Sequence, residues 1–363
     1  MDTVTPDDLR AAVAAGILSE GQAASVTALA QGRAGRRDTL PAEDEPFEFF
    51  RGFSEIFVSL GLVILLSGVA AMLAWFGGSD MLIFVPFAVA AVAFWWAGYF
   101  TLKRRMNLPS MVLACAFGVG LYTSAITLAA IAELPTRVML VGSFAVGVLG
   151  MVLWYRRFRL PFSAFILGLF VLGVVYSLTA SVDSLGGFIE GNRSGGFSAL
   201  FDLRESPAFA MATLAFGVGA FCVGMWFDTR DPYRLGRHAA TAFWCHMLAA
   251  PALVNTVALT LYNTGGQSGV VLLMIALVGV SVLALVIDRR SFLTAAIAYI
   301  AIVIAWIVQG SGDADFGTWT GVLILLGATI TAIGTWWVPL RAALMRALPD
   351  FPGKRRLPPY AKA

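Results

Sequence analysis

Few side chains in this chain could do chemistry, and most of them sit in apolar surroundings. It has two histidines and three cysteines in 363 residues. His246 directly follows Cys245 inside an apolar run, and a thiol beside an imidazole invites a zinc reading. Adjacent helical residues point about 100° apart, however. No second His, Cys, Asp or Glu stands three or four positions away to complete a site. We therefore expect His246 to be a hydrogen-bonded structural residue, roughly 12 Å into its span. Asn255 and Thr256, further along the same run, suit hydrogen bonding between helices. Glu55 lies four residues after Arg51, a spacing that favours a local ion pair. An ionisable group at membrane depth is costly to keep and so is a functional candidate by default. His246, Asn255, Thr256 and Glu55 are thus the candidates for a polar intramembrane site.

The remaining charged groups read as turn chemistry. Glu133 and Arg137 are four apart beside Pro135, and Asp228 and Asp288 stand next to Arg230, Arg289 and Arg290. These pairs are expected to neutralise the turns they occupy. No span carries a carboxylate near its middle, which argues against an ion-coupled carrier. The phosphate loop G-x-x-x-x-G-K-[ST], H-E-x-x-H and G-x-S-x-G are all missing. We expect no catalytic residue, no cofactor and no metal site.

The elements that must position these residues follow from composition. The chain is 59% hydrophobic and 13% charged, about half the charge of a soluble domain. That excess of apolar surface implies an all-α, polytopic transmembrane bundle, with the lipid bilayer as its surroundings. A spanning helix needs about 20 mostly apolar residues, because lipid offers the backbone no hydrogen-bond partner. Ten stretches qualify: 56–76, 81–100, 110–131, 134–154, 161–181, 207–227, 239–262, 269–287, 292–309 and 317–338. Of the 25 Lys and Arg residues, 22 fall in the two tails and the even-numbered loops. The positive-inside rule then puts both termini in the cytoplasm of a bacterial inner membrane. Nine of the ten tryptophans lie near predicted span ends, Trp244 being the exception.

The cytoplasmic loops share a pattern of helix end, basic cluster and immediate restart, at 95–110, 154–163, 226–238 and 287–294. This reads as a repeated hairpin with tight turns. The outer loop 182–206 is long and glycine-rich, and it divides the spans five and five, a geometry that would invert the second half. The N-terminal segment differs in kind. Thr5-Pro6-Asp7-Asp8 opens a helix that runs to about Ala15 and stops at Gly16. Ser19 with Gln22 caps a second helix. Residues 1–31 are expected to form a cytoplasmic helical hairpin, 32–54 an acidic linker and interfacial entry, 55–338 the transmembrane domain, and 339–363 a basic cytoplasmic tail. So little basic charge on the hairpin argues against nucleic-acid binding.

The order of these parts resembles the bacterial polytopic membrane proteins of the domain-of-unknown-function 2157 type. The resemblance rests on the helical pair LRAAVAAGILSEGQAASVTALA, the acidic linker after it and turns such as RRFRLP. It implies a multi-span membrane protein and carries over no functional residue. The expectation is a non-catalytic membrane protein that binds a partner through the N-terminal hairpin or the 182–206 loop. The alternative is a permease or channel-like carrier for a neutral or amphipathic solute. An intramembrane enzyme would have to use His246 and Cys245.

Overall fold

The computed structural model describes residues 6–18, 53–81, 84–179, 201–231, 237–264, 266–290 and 334–358, with positions 22, 26, 292, 320, 321, 324, 327, 328, 331, 332 and 360. Every regular element among them is helical. The chain divides into two compact units, Met1–Glu45 and Pro46–Ala363.

In the first unit, helix α1 covers Pro6–Ala14. It stops where the sequence places a stop. Gly16 takes φ +70°, and the N–H of Ile17 reaches back to the carbonyl of Ala12 (2.9 Å). Glycine tolerates that left-handed turn because it has no Cβ to clash. The helix expected after Ser19 lies outside the described residues except for Gln22 and Val26, which are both helical.

The second unit is an integral membrane bundle. Its helices are α2 (Phe53–Met81), α3 (Val85–Ala97), α4 (Asn107–Ile131), α5 (Thr136–Phe158), α6 (Ser163–Thr179), α7 (Pro207–Asp228), α8 (Arg237–Asn263), α9 (Gly266–Ile287) and α10 (Trp337–Ala347). Among the described residues, six helices are long and apolar enough to cross a membrane, while α6 and the Val271–Ile287 part of α9 are apolar but shorter. All eight fall on the first eight predicted stretches. The predicted spans 292–309 and 317–338 lie outside the described residues apart from isolated positions. The outward faces are apolar, with Trp75 84% and Phe76 81% exposed, as a lipid-facing surface requires.

The turns between helices are tight and use an uncommon device. Arg105, Glu133, Arg159 and Asp288 each take φ between +50° and +58°, a left-handed conformation that few non-glycine residues adopt. Each follows a helical segment and folds the chain back at once. Glu133 marks the division between the third and fourth spans, where only four residues separate the two apolar runs. Three of the four tight turns read from the sequence contain such a residue. At the 95–110 turn, α3 also widens into a π-helix over Gly98–Lys103.

Two cores fill the bundle. Helices α2–α6 enclose an aromatic cluster in which Trp154 is flanked by Phe158 (4.6 Å between centroids), Phe117 (5.0 Å) and Phe94 (5.9 Å). Helices α7–α10 enclose a second core of Ala249, Val254, Leu273, Leu277, Phe292 and Trp337. Trp244, the one tryptophan away from a span end, joins them by packing on Phe162 (4.7 Å) and Phe165 (5.3 Å). The stretch 339–363, read as a tail, contains most of α10 and a short 3-10 turn at Lys354–Arg356.

Candidate functional site

A buried polar cluster is built where α7, α8 and the end of α9 meet. α7 ends on Asp228, and His246 lies nine residues into α8, about 13 Å along its axis. α9 ends at Ile287, after which Asp288 turns left-handed and the N–H of Arg289 bonds the carbonyl of Ala284 (3.0 Å). This C-terminal turn aims Arg289 back into the bundle. There its Nε donates to Asp228 Oδ2 (3.1 Å), while Nη2 donates to Asp228 Oδ1 and to the Ala239 carbonyl (3.0 Å). His246 Nε2 lies 2.8 Å from Asp228 Oδ2. A carboxylate paired with a guanidinium only accepts, so Nε2 carries the proton and donates.

His246 and Arg289 are 0% exposed and Asp228 3%. Phe221 (5.6 Å) and Phe292 (5.7 Å) enclose the imidazole edge-on. A Cβ added at Gly224 would stand 2.8 Å from His246 Cε1, so the ring occupies space that glycine leaves. Charge cancels within the cluster, since a bidentate Arg–carboxylate pair is the geometry in which a buried ion pair best offsets its lost hydration. Among the described residues, no group of three His, Cys, Asp or Glu could hold a metal ion.

The other sequence candidates do not converge on this point. Thr256 is also 0% exposed, but its hydroxyl donates to the Ala252 carbonyl of its own helix (2.7 Å). Asn255 is half-buried and stands about 180° around α8 from His246. Glu55 bonds a different helix, α4. Its Oε2 accepts the backbone N–H groups of Asn107 and Leu108, both at 3.2 Å. A carboxylate there satisfies two of the four N–H groups that the first turn of α4 leaves without helical partners, and it complements the helix dipole. Arg51, its expected partner, lies outside the described residues.

Two further clusters were not anticipated from the sequence. Asp288 accepts the indole N–H of Trp337 (2.8 Å), and Arg341 approaches the same carboxylate (3.6 Å). Arg341 also donates to the carbonyls of Leu285 (3.1 Å) and Pro358 (2.7 Å). At the other end of α7 and α8, Asp202 accepts the Asn263 amide (2.7 Å) and the Arg204 N–H (2.9 Å). Arg204 in turn donates to the Asn263 carbonyl (2.8 Å). The expectation that Asp228 would pair within its own turn is overturned. Arg230 instead stacks on Trp226, with its guanidinium carbon 3.5 Å from the ring centre. The usable signal was depth, because Asp228 and Arg289 both fall at the ends of apolar runs.

Glu55, Asp202, Asp228 and Asp288 are the buried carboxylates among the described residues. Each one joins segments between 49 and 61 residues apart in the chain. Glu55, Asp228 and Asp288 sit at helix ends and Asp202 in the segment leading into α7, and each staples one element to another. No family model, curated protein or solved structure matches the chain.

Proposed function

We propose that this chain is a non-catalytic, ten-span protein of the bacterial inner membrane, with both termini in the cytoplasm, that binds a protein partner through its N-terminal unit. One observation carries the reading. The four buried carboxylates are spent on joining helices, so none of them is left facing an open cavity to handle a proton, a coupling ion or a substrate. Two further facts support a role for the N-terminus. Residues 1–45 form their own compact unit, and they expose Ile17 (75%) and Val26 (43%). Apolar side chains exposed on so small a unit suit contact with another protein. The resemblance to the domain-of-unknown-function 2157 type belongs to the same reading, on the strength of the N-terminal helical pair and the RRFRLP turn.

The test is a truncation. A chain starting at residue 41 is expected to insert normally in the membrane and to lose a protein captured by the full-length chain. Unchanged capture would contradict the proposal. Solute exchange across proteoliposomes by the truncated chain would favour the carrier instead. Cysteine labelling from one side of intact cells tests the topology separately. Positions 34, 156 and 350 should label together from the cytoplasm, and position 265 from outside.

A further inference from the structure

One opening among the described residues has no part in the stapling. It is a groove of about 770 Å³ between α2, the π-helical end of α3 and α5. Its walls are apolar and aromatic, formed by residues such as Leu62, Leu65, Trp95 and Trp96. Its rim carries Lys103 and Arg157, and no acidic residue lines it. The volume falls within the roughly 300–1,000 Å³ of small-molecule sites.

Local structure explains why the groove exists. The π-helix over Gly98–Lys103 adds a residue to the turn, with the N–H of Arg104 bonding back to the Tyr99 carbonyl (2.9 Å). Such widened turns are uncommon and recur at functional sites. Gly98 lines the groove, and a Cβ there would meet nothing within 4 Å. The tight turn at Arg105 then brings the chain into α4, leaving Lys103 at the mouth.

The charges at this mouth differ from those of the interior. Each buried arginine among the described residues is held by a carboxylate, Arg289 by Asp228 and Arg341 by Asp288. Lys103 and Arg157 are exposed and have no carboxylate partner among the described residues. Arg157 lies over the face of Phe158, with its guanidinium carbon 5.6 Å from the ring centre. Trp95 remains 76% exposed beside them. Two cations above an apolar slot complement a phosphate above an acyl chain, and basic pockets between spanning helices recognise anionic lipid headgroups.

We infer that this groove is a binding site for one anionic phospholipid, with an acyl chain along Leu62, Leu65 and Trp95 and the phosphate between Lys103 and Arg157. The inference rests on the proposed topology only for the leaflet, the cytoplasmic one. It is independent of whether the N-terminal unit binds a partner.

The test is native mass spectrometry of the purified full-length chain equilibrated with equal amounts of phosphatidylglycerol and phosphatidylcholine. The wild type is expected to retain one phosphatidylglycerol in preference. Lys103→Gln with Arg157→Gln should weaken that retention by about fivefold per cation removed. Leu65→Trp keeps both cations but fills the slot, and it should weaken retention as well. The charge-matched control, Arg346→Gln with Arg356→Gln, should leave retention unchanged. Equal retention of the two lipids by the wild type would overturn the inference. So would equal loss in the control, or full retention in Leu65→Trp, either of which would reduce the effect to diffuse surface charge.

Discussion

Helices α2–α6 and helices α7–α10 are held together in different ways. The first set meets mainly through shape, in an aromatic cluster around Trp154 and at close helix contacts, with the Glu55 cap on α4 as its buried carboxylate among the described residues. The second set meets through charge, with Asp228, His246 and Arg289 at one end of α7 and α8 and Asp202 with Asn263 at the other. In lipid, burying an apolar side chain gains little, because the alternative surroundings are equally apolar. Helices then associate by tight packing or by polar groups that lipid cannot satisfy. This protein uses both solutions in one bundle.

Removing a charge should therefore do more damage than removing a ring. Arg289→Ala leaves the Asp228 carboxylate buried with His246 as its one remaining partner, and it should cost about 3–5 kcal/mol. The check is thermal unfolding of the purified chain in detergent. Trp154→Ala opens a cavity among Phe94, Phe117 and Phe158. Its cost should sit near 3 kcal/mol, the low end of the soluble range, because only packing is lost. A larger loss for Trp154→Ala than for Arg289→Ala would reverse the comparison.

Smaller changes sharpen it. A Cβ at Gly120 would lie 2.6 Å from the Pro86 carbonyl oxygen, and backbone cannot move aside as a side-chain end can. Gly120→Ala should push α3 and α4 apart at a cost of about 1–3 kcal/mol, measured by the same melt. Glu55→Ala removes the acceptor from the first turn of α4 and should cost about 1 kcal/mol, as loss of a helix cap does. Glu55→Gln, which retains an acceptor oxygen, should recover most of that loss.

The sequence and the fold agree where a property is local. Apolar runs located eight of the helices, and Gly16 marked the end of α1, because length, hydropathy and glycine's freedom act within a few residues. The partners of buried charges were another matter. A spacing of four residues suggested Arg51, which lies outside the described residues, for Glu55, and adjacency suggested a local arginine for Asp228; Glu55 caps a helix 52 residues away and Asp228 holds Arg289 at a separation of 61. Hydropathy gives the depth of a residue in the membrane but not its direction around the helix axis. His246 is hydrogen-bonded as expected, but its acceptor, Asp228, lies on another helix. The π-helix at Gly98–Lys103 had no sequence signal that we could name beyond its glycine.

The central claim is that the buried charges are staples whose value lies in their pairing. A double-mutant cycle on Asp228→Asn and Arg289→Met, followed by thermal unfolding in detergent, tests it most directly. Asparagine retains an acceptor for His246, and methionine fills much of the arginine's space. The account predicts that the double variant is at least as stable as Arg289→Met alone, with a coupling of about 2 kcal/mol or more. Losses that simply add, within about 0.5 kcal/mol, would contradict it.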